Sequence, residues 1–172
     1  MAIWGSTRGK VLNQGDFLPK IQIPSVTTSF PREDADGQVP VSITIADVIV
    51  ISQSCDLELH KIPFVVVAQI FGVPNFEEVN PSFKKKGVWK EVANGRVESL
   101  HLLASPTDPG DLQCCYVVDF RLIASLPIDF VENFAEACGD RWRLTPPYLE
   151  NLSQAFGRFF MRVALPEPHA KF

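Results

Sequence analysis

The groups best able to do chemistry gather between Asp47 and His60, where Ser52, Gln53, Ser54, Cys55, Asp56 and His60 follow a solid apolar run. A thiol becomes a nucleophile when a base or a positive environment lowers its pKa. His60 stands five residues beyond Cys55, and His101 lies in another strand-like segment. Either imidazole offers a base, with Asp56 or Asp16 to orient it, which is the set of a small hydrolase-type enzyme. Two facts weigh against it. The Asp56 charge opposes a neighbouring thiolate unless it is paired or turned away. Cysteine is also among the most buried residue types, so the plain alternative is an inert thiol at a strand end.

The candidate binding groups are Asp16, Ser52, Gln53, Ser54, Arg158 and Arg162. Arg158 and Arg162 are four apart on a helical pattern and suit a phosphate or carboxylate. Arg141 and Arg143 precede them; the ordinary alternative pairs these arginines with Asp140 and Glu150. Asp16, Asp56 and Asp119 lie near strand ends, where carboxylates do acid–base work, hold a metal or cap turns. Cys55, His60, His101, Cys114 and Cys115 are soft ligands, but no Cys-x-x-Cys or His-x-x-x-His spacing occurs. The acidic tip Glu33–Gly37 lacks the distant Glu of a calcium loop. No glycine-rich phosphate loop is present either. No metal and no cofactor is expected.

The 172 residues fit one domain, and an apolar fraction of 46% supplies a core. A net charge of −4 argues against tight, non-specific nucleic-acid binding, though Lys84, Lys85, Lys86 and Lys90 form a local basic cluster. No apolar run is long enough to span a bilayer, and the first residues lack the apolar core of a signal peptide. The four cysteines do not form the framework of a secreted domain. These features predict a cytoplasmic protein with reduced thiols and no membrane partner.

Positioning the chemistry falls to the strands. Val48 to Ile51 reads as a central strand buried on both faces, and Phe64 to Ile70 as a second. Phe17–Ile23, Val41–Ile45, Val97–Leu103 and Leu112–Ile123 supply further strands, with a break at Ala46-Asp47. Residues 1–10 read as a mobile lead-in, and Pro24–Pro40 as a long loop. The segment 72–93 suits one or two short helices or a lid. In the last third, Asp129 and Glu132 offer a capping pair, Phe130, Val131, Phe134 and Ala137 share a face, and Gly139 marks a stop. Thr145 and Pro146 then open a helix whose stripe is Leu149, Leu152, Phe156, Phe159 and Val163. Strands first and helices last predict an α+β fold: a mostly antiparallel sheet curled into a small β-barrel, with C-terminal helices packed on one side. The boundaries are 11–125 for the barrel, with 72–93 inserted, and 126–166 for the helical pair, all one structural domain. Tyr148 and Phe160 lie beyond the main stripe, so either the barrel covers both sides of this helix or a second subunit does, as a homodimer through the C-terminal helix.

Several stretches resemble a family of uncharacterised bacterial proteins with a Ser-Gln-Ser-Cys-Asp-Leu motif. They are Gly15-Asp16, Val48–Leu57, Tyr116–Phe120 and Phe156–Val163, within residues 11 to 166. That resemblance implies no activity. The first half is distantly similar to the MazF/PemK toxin ribonucleases, on the order Gly15-Asp16, Val48–Ser52, Val65–Ile70, and this implies an SH3-like, PemK-like barrel. Ala46-Asp47 stands where those toxins carry Arg-Pro, and Gln69–Gly72 where they carry a Pro-x-Thr-type sequence, so the RNA-cleaving residues do not carry over. Together these features predict a cytoplasmic bacterial binding or regulatory module, associated with nucleic acid in a toxin–antitoxin or phage-defence setting. The alternative is the Cys55 enzyme with a histidine base.

Overall fold

Four consecutive apolar residues can be buried together only if both faces of their strand are covered, and this is what happens at Val48–Ile51. The computed structural model describes residues 2–25 and 41–161. Among them, seven strands run in antiparallel sheets: β1 (Trp4–Thr7), β2 (Phe17–Ser25), β3 (Ser42–Val50), β4 (Phe64–Gly72), β5 (Leu100–Leu103), β6 (Tyr116–Pro127) and β7 (Arg141–Leu144). The helices are α1 (Ser54–Glu58), α2 (Val73–Val79), α3 (Val88–Ala93), α4 (Ile128–Cys138) and α5 (Tyr148–Phe160). A five-stranded sheet has the order β2-β3-β4-β6-β5, and β1 and β7 form a separate ribbon.

Val48 and Val50 join Leu18, Ile21, Val65 and Val67 in a core closed by Val131 of α4. Ile49 and Ile51 face the other way, to Ala68, Ile70, Phe120 and Leu152 of α5. All four are essentially solvent-free, and burial of each such side chain is worth roughly 1.5–3 kcal/mol. A third core holds α2 and α3 against β5 and β6 through Phe76, Trp89, Leu100 and Val117. The segment 72–93 is therefore two short helices with a 3₁₀ turn at Pro81–Lys84 between them, pinned by Phe76, Phe83 and Trp89.

Two irregularities curl the sheet. Ala68 pairs with Ile123 but Gln69 with Asp119, so Phe120–Leu122 bulge out of β6 and bend it. A second bulge lies between Leu18 and Ile21, where Lys20 takes φ +56° and donates its amide to Asp47 Oδ1 at 2.8 Å. The β1–β7 ribbon reaches β2 through the bridge Asp16↔Arg143. Beyond the other edge strand, the Trp4 indole donates to the Ala104 carbonyl at 2.7 Å. The fold is α+β with antiparallel sheets, and among the described residues the strands do not close into a barrel.

Several local expectations are corrected. The lead-in contains β1, held by a strand partner at the opposite end of the described chain. Asp47 does not break β3; it fastens the bulge beside it. The pair of C-terminal helices has β7 between them. Asp129 caps nothing, since Pro127 opens α4 without a side-chain cap. On α4 it is Ile128, Val131, Glu132 and Ala135 that are buried, while Phe130 is exposed. Thr145 gives its hydroxyl to the Ala2 carbonyl rather than to α5, which starts at Tyr148. Gly139 does end α4, with φ +75°. The expected loop at 24–40 and the Val163 end of the helical stripe fall largely or wholly outside the described residues. None of the described helices is long and apolar enough to cross a membrane.

Candidate functional site: the His101–Arg158 cleft

The Ser52–Asp56 turn is where sequence placed the chemistry, and its two serines hold backbone. Ser52 Oγ accepts from the Val66 amide at 2.8 Å, and Ser54 Oγ from the Gln14 amide at 3.1 Å. Gln14 returns its own side chain to the Ile51 carbonyl at 2.7 Å. Gln53 precedes α1 without capping it. Cys55 is exposed, with Gln53 Oε1 at 3.9 Å and Asp56 Oδ1 at 3.7 Å from its sulfur. Asp56 lies 3.9 Å from Lys61. His60 faces Glu132 at 3.4 Å, where Lys10 also reaches at 3.3 Å. A nucleophile needs a base held in turn by an orienting group. Among the described residues, no hydrogen bond or ion pair joins Cys55 to His60 or His101.

Asp16 is also structural. Its carboxylate is fully buried between two arginines of β7, spaced two apart so that both point to one face. Arg141 donates to Asp16 Oδ2 from Nε at 3.2 Å and from Nη2 at 3.1 Å, and also to the carbonyls of Gly9 and Val11 at 2.8 and 2.7 Å. Arg143 Nε bonds Asp16 Oδ1, and its Nη2 reaches Oδ2 at 2.9 Å. These arginines therefore pair with Asp16, 125 and 127 residues away, and not with Asp140 or Glu150. Gly15 is fixed by the same junction: φ is +82°, and a Cβ there would sit 2.9 Å from the Leu144 side chain. Asp119 is held by Arg121 at 2.6 and 2.8 Å. Asp108, Asp111 and Cys114 offer ligand atoms within 4.8 Å of one another, but all three are exposed.

Groups with capacity left over lie on the far side of the sheet, between α5 and the α3–β5 segment. Here the structure brings together two residues that sequence singled out separately, His101 of β5 and Arg158 of α5. The His101 ring stacks on Phe120, centroids 6.4 Å apart and planes 21° from parallel. Phe120 in turn meets Phe156 and Phe159 of α5 at 5.5 and 6.0 Å. The aromatic stripe of α5 is thus what sets Arg158 beside the imidazole. Burial, and then the Arg158 charge, push the His101 pKa down to about 4. The imidazole is consequently neutral near pH 7, with one donor and one acceptor nitrogen. Arg158 is exposed and has no hydrogen-bond or ion-pair partner among the described residues.

The cavity at Arg158 has a volume of about 220 Å³ and is walled by the Asn94-Gly95 turn and by Asn151 and Gln154. It shares His101, Leu102 and Asn151 with a neighbour of about 420 Å³, which reaches Tyr148 and Cys115. Burial pushes the Cys115 thiol up, so it serves as an uncharged wall. Among the described residues, no carboxylate lines either cavity. In sequence, Asn94-Gly95 is no more than a turn signal, and Asn151 and Gln154 carry no motif. The available signal was their spacing: Asn151, Gln154 and Arg158 recur at three and four on one flank of the helix. Tyr148, one of the two residues offered for a dimer face, packs partly buried within its own chain, while Phe160 is exposed and meets Phe156 at a tilt and Phe159 edge-on. Lys84, Lys85, Lys86 and Lys90 are all exposed. Arg162 lies outside the described residues.

Comparison with known proteins finds no matching family model, no matching curated protein and no matching solved structure.

Proposed function

We propose that this protein is a binding module that holds an anionic ligand in the cleft between α5 and β5. The observation that carries the reading is Arg158, a guanidinium that, among the described residues, has no partner and sits in a cleft lined by no carboxylate. Its planar fork matches phosphate or carboxylate oxygens bidentately. The neutral His101 adds a hydrogen-bond donor without adding charge, and the Asn94, Asn151 and Gln154 side chains add further donors. Such a set supports recognition. Nucleic acid belongs among the candidate ligands because its phosphates have the required chemistry. The matching reading of the fold is an opened SH3-like barrel, supported by the bulge in β6 and by the Trp4–Ala104 bond beyond its edge.

Calorimetric titration with inorganic phosphate and with a short single-stranded RNA tests this. The wild type binds at least one of them, and Arg158→Ala weakens it at least tenfold, a loss of about 1.4 kcal/mol. For RNA, the affinity also falls with added salt. Equal affinity of wild type and variant for both probes, or no binding at low salt, overturns the proposal.

A further inference from the structure

The Arg158 cavity is one end of a longer trough. The 420 Å³ cavity beyond His101 shares Ile3, Pro109 and Tyr148 with a third of about 210 Å³, which ends at Trp4 and Ser105. Among the described residues, no carboxylate lines this third cavity either. Its chemistry changes along its length: a guanidinium at one end, amides and a neutral imidazole in the middle, an aromatic and a proline ring further on. A ligand matched to all three zones has an anionic head, a hydrogen-bonding edge and a flat apolar body. We propose that this trough takes a single nucleotide, with its phosphate on Arg158 and its base carried past His101 and Asn151 to lie against Tyr148 and Pro109.

An alkyl acid fits less well. Its chain would cover the Asn151 carboxamide and the His101 imidazole without offering them a hydrogen bond, and polar groups buried without partners are costly. A nucleobase offers donors and acceptors at its edge and a π face for the ring beyond it. The two larger cavities together fall in the range of roughly 300–1,000 Å³ common for small-molecule sites. Two sources share this chemistry: a free nucleoside monophosphate and the terminal nucleotide of a single strand.

The inference rests on the anion-binding reading, so the test separates the two. Affinities are measured for inorganic phosphate, for the four nucleoside 5′-monophosphates, and for one oligonucleotide with and without a 5′-phosphate. At least one monophosphate is expected to bind ten times or more tighter than phosphate itself. Tyr148→Ala should remove most of that advantage while leaving phosphate affinity unchanged. Tyr148 packs partly into the core, so the exposed Pro109→Ala, outside the Arg158 cavity, serves as the second variant and should lower nucleotide affinity selectively. A 5′-phosphorylated oligonucleotide that binds as tightly as the monophosphate identifies a strand terminus as the source; binding of the monophosphate alone identifies the free nucleotide. If phosphate binds through Arg158 but nucleotides gain nothing over it, the nucleotide inference fails and the anion site stands. If neither binds, both fail.

Discussion

The Ser52–Asp56 turn with its neighbour Asp16, and the His101–Arg158 cleft, are both rich in polar side chains. They differ in what those side chains are bonded to. At the turn, Ser52 and Ser54 hold amides of Val66 and Gln14, and Asp16 is enclosed by Arg141 and Arg143. In the cleft, Arg158 has no partner among the described residues, and His101 is fixed by ring stacking, which leaves its nitrogens' hydrogen bonding unused by that contact. A polar cluster whose groups bond one another is architecture. One whose groups are positioned by apolar packing keeps its hydrogen bonds for a ligand. Mutations at the two regions should therefore separate stability from binding.

The largest effect is expected at Asp16. Asp16→Ala leaves Arg141 buried without its carboxylate, and breaking a buried pair in this way costs about 3–5 kcal/mol. Total stability is on the order of 5–15 kcal/mol, so urea denaturation should show a greatly lowered midpoint or the protein should be insoluble. A midpoint within error of the wild type would mean that the cluster does not hold β7 to β2, and the comparison would lose its first half.

Next comes a pH effect from the cleft. The folded state holds His101 neutral down to about pH 4, whereas an unfolded histidine takes up its proton near pH 6.5. Between those values the unfolded chain binds more protons, so stability falls as pH drops through that window. At about 1.4 kcal/mol per pH unit, the loss is at most about 3 kcal/mol. Carboxylates titrate in the same range, so the measurement is the difference between wild type and His101→Gln at pH 7.5 and pH 4.5. The wild type should lose more on acidification than the variant; equal losses would place His101 in contact with water.

Smaller effects are expected at the turn. Ser52→Ala leaves the Val66 amide without its acceptor, a cost of about 1–3 kcal/mol, while Cys55→Ala at an exposed position should change the unfolding free energy by less than about 0.5 kcal/mol. A Cys55 change that matters more than the Ser52 change would reopen a functional role for the thiol.

What the sequence made legible follows from how local each cause is. Val48–Ile51 and Phe64–Ile70 announce buried strands because β-branched apolar runs carry their own signal. Trp4–Thr7 and Arg141–Leu144 carry none: each is four residues long and is a strand only because the other pairs with it across the described chain. For the same reason Asp16 read as a binding or turn residue, its arginine partners lying 125 and 127 positions away. His101 and Arg158 were identifiable as types, but their meeting depends on Phe120, Phe156 and Phe159 packing α5 against the sheet. The Ser52–Asp56 cluster is ambiguous in sequence because a dense set of polar residues looks the same whether it bonds a substrate or its own backbone.

The most direct test of the central claim is a two-dimensional amide NMR titration of the wild-type protein with inorganic phosphate. Chemical-shift changes are expected at Asn94, Gly95, His101 and Asn151 and at the Arg158 side chain, with Ser52–Asp56 silent. Changes centred on Ser52–His60 with none in the cleft would contradict it.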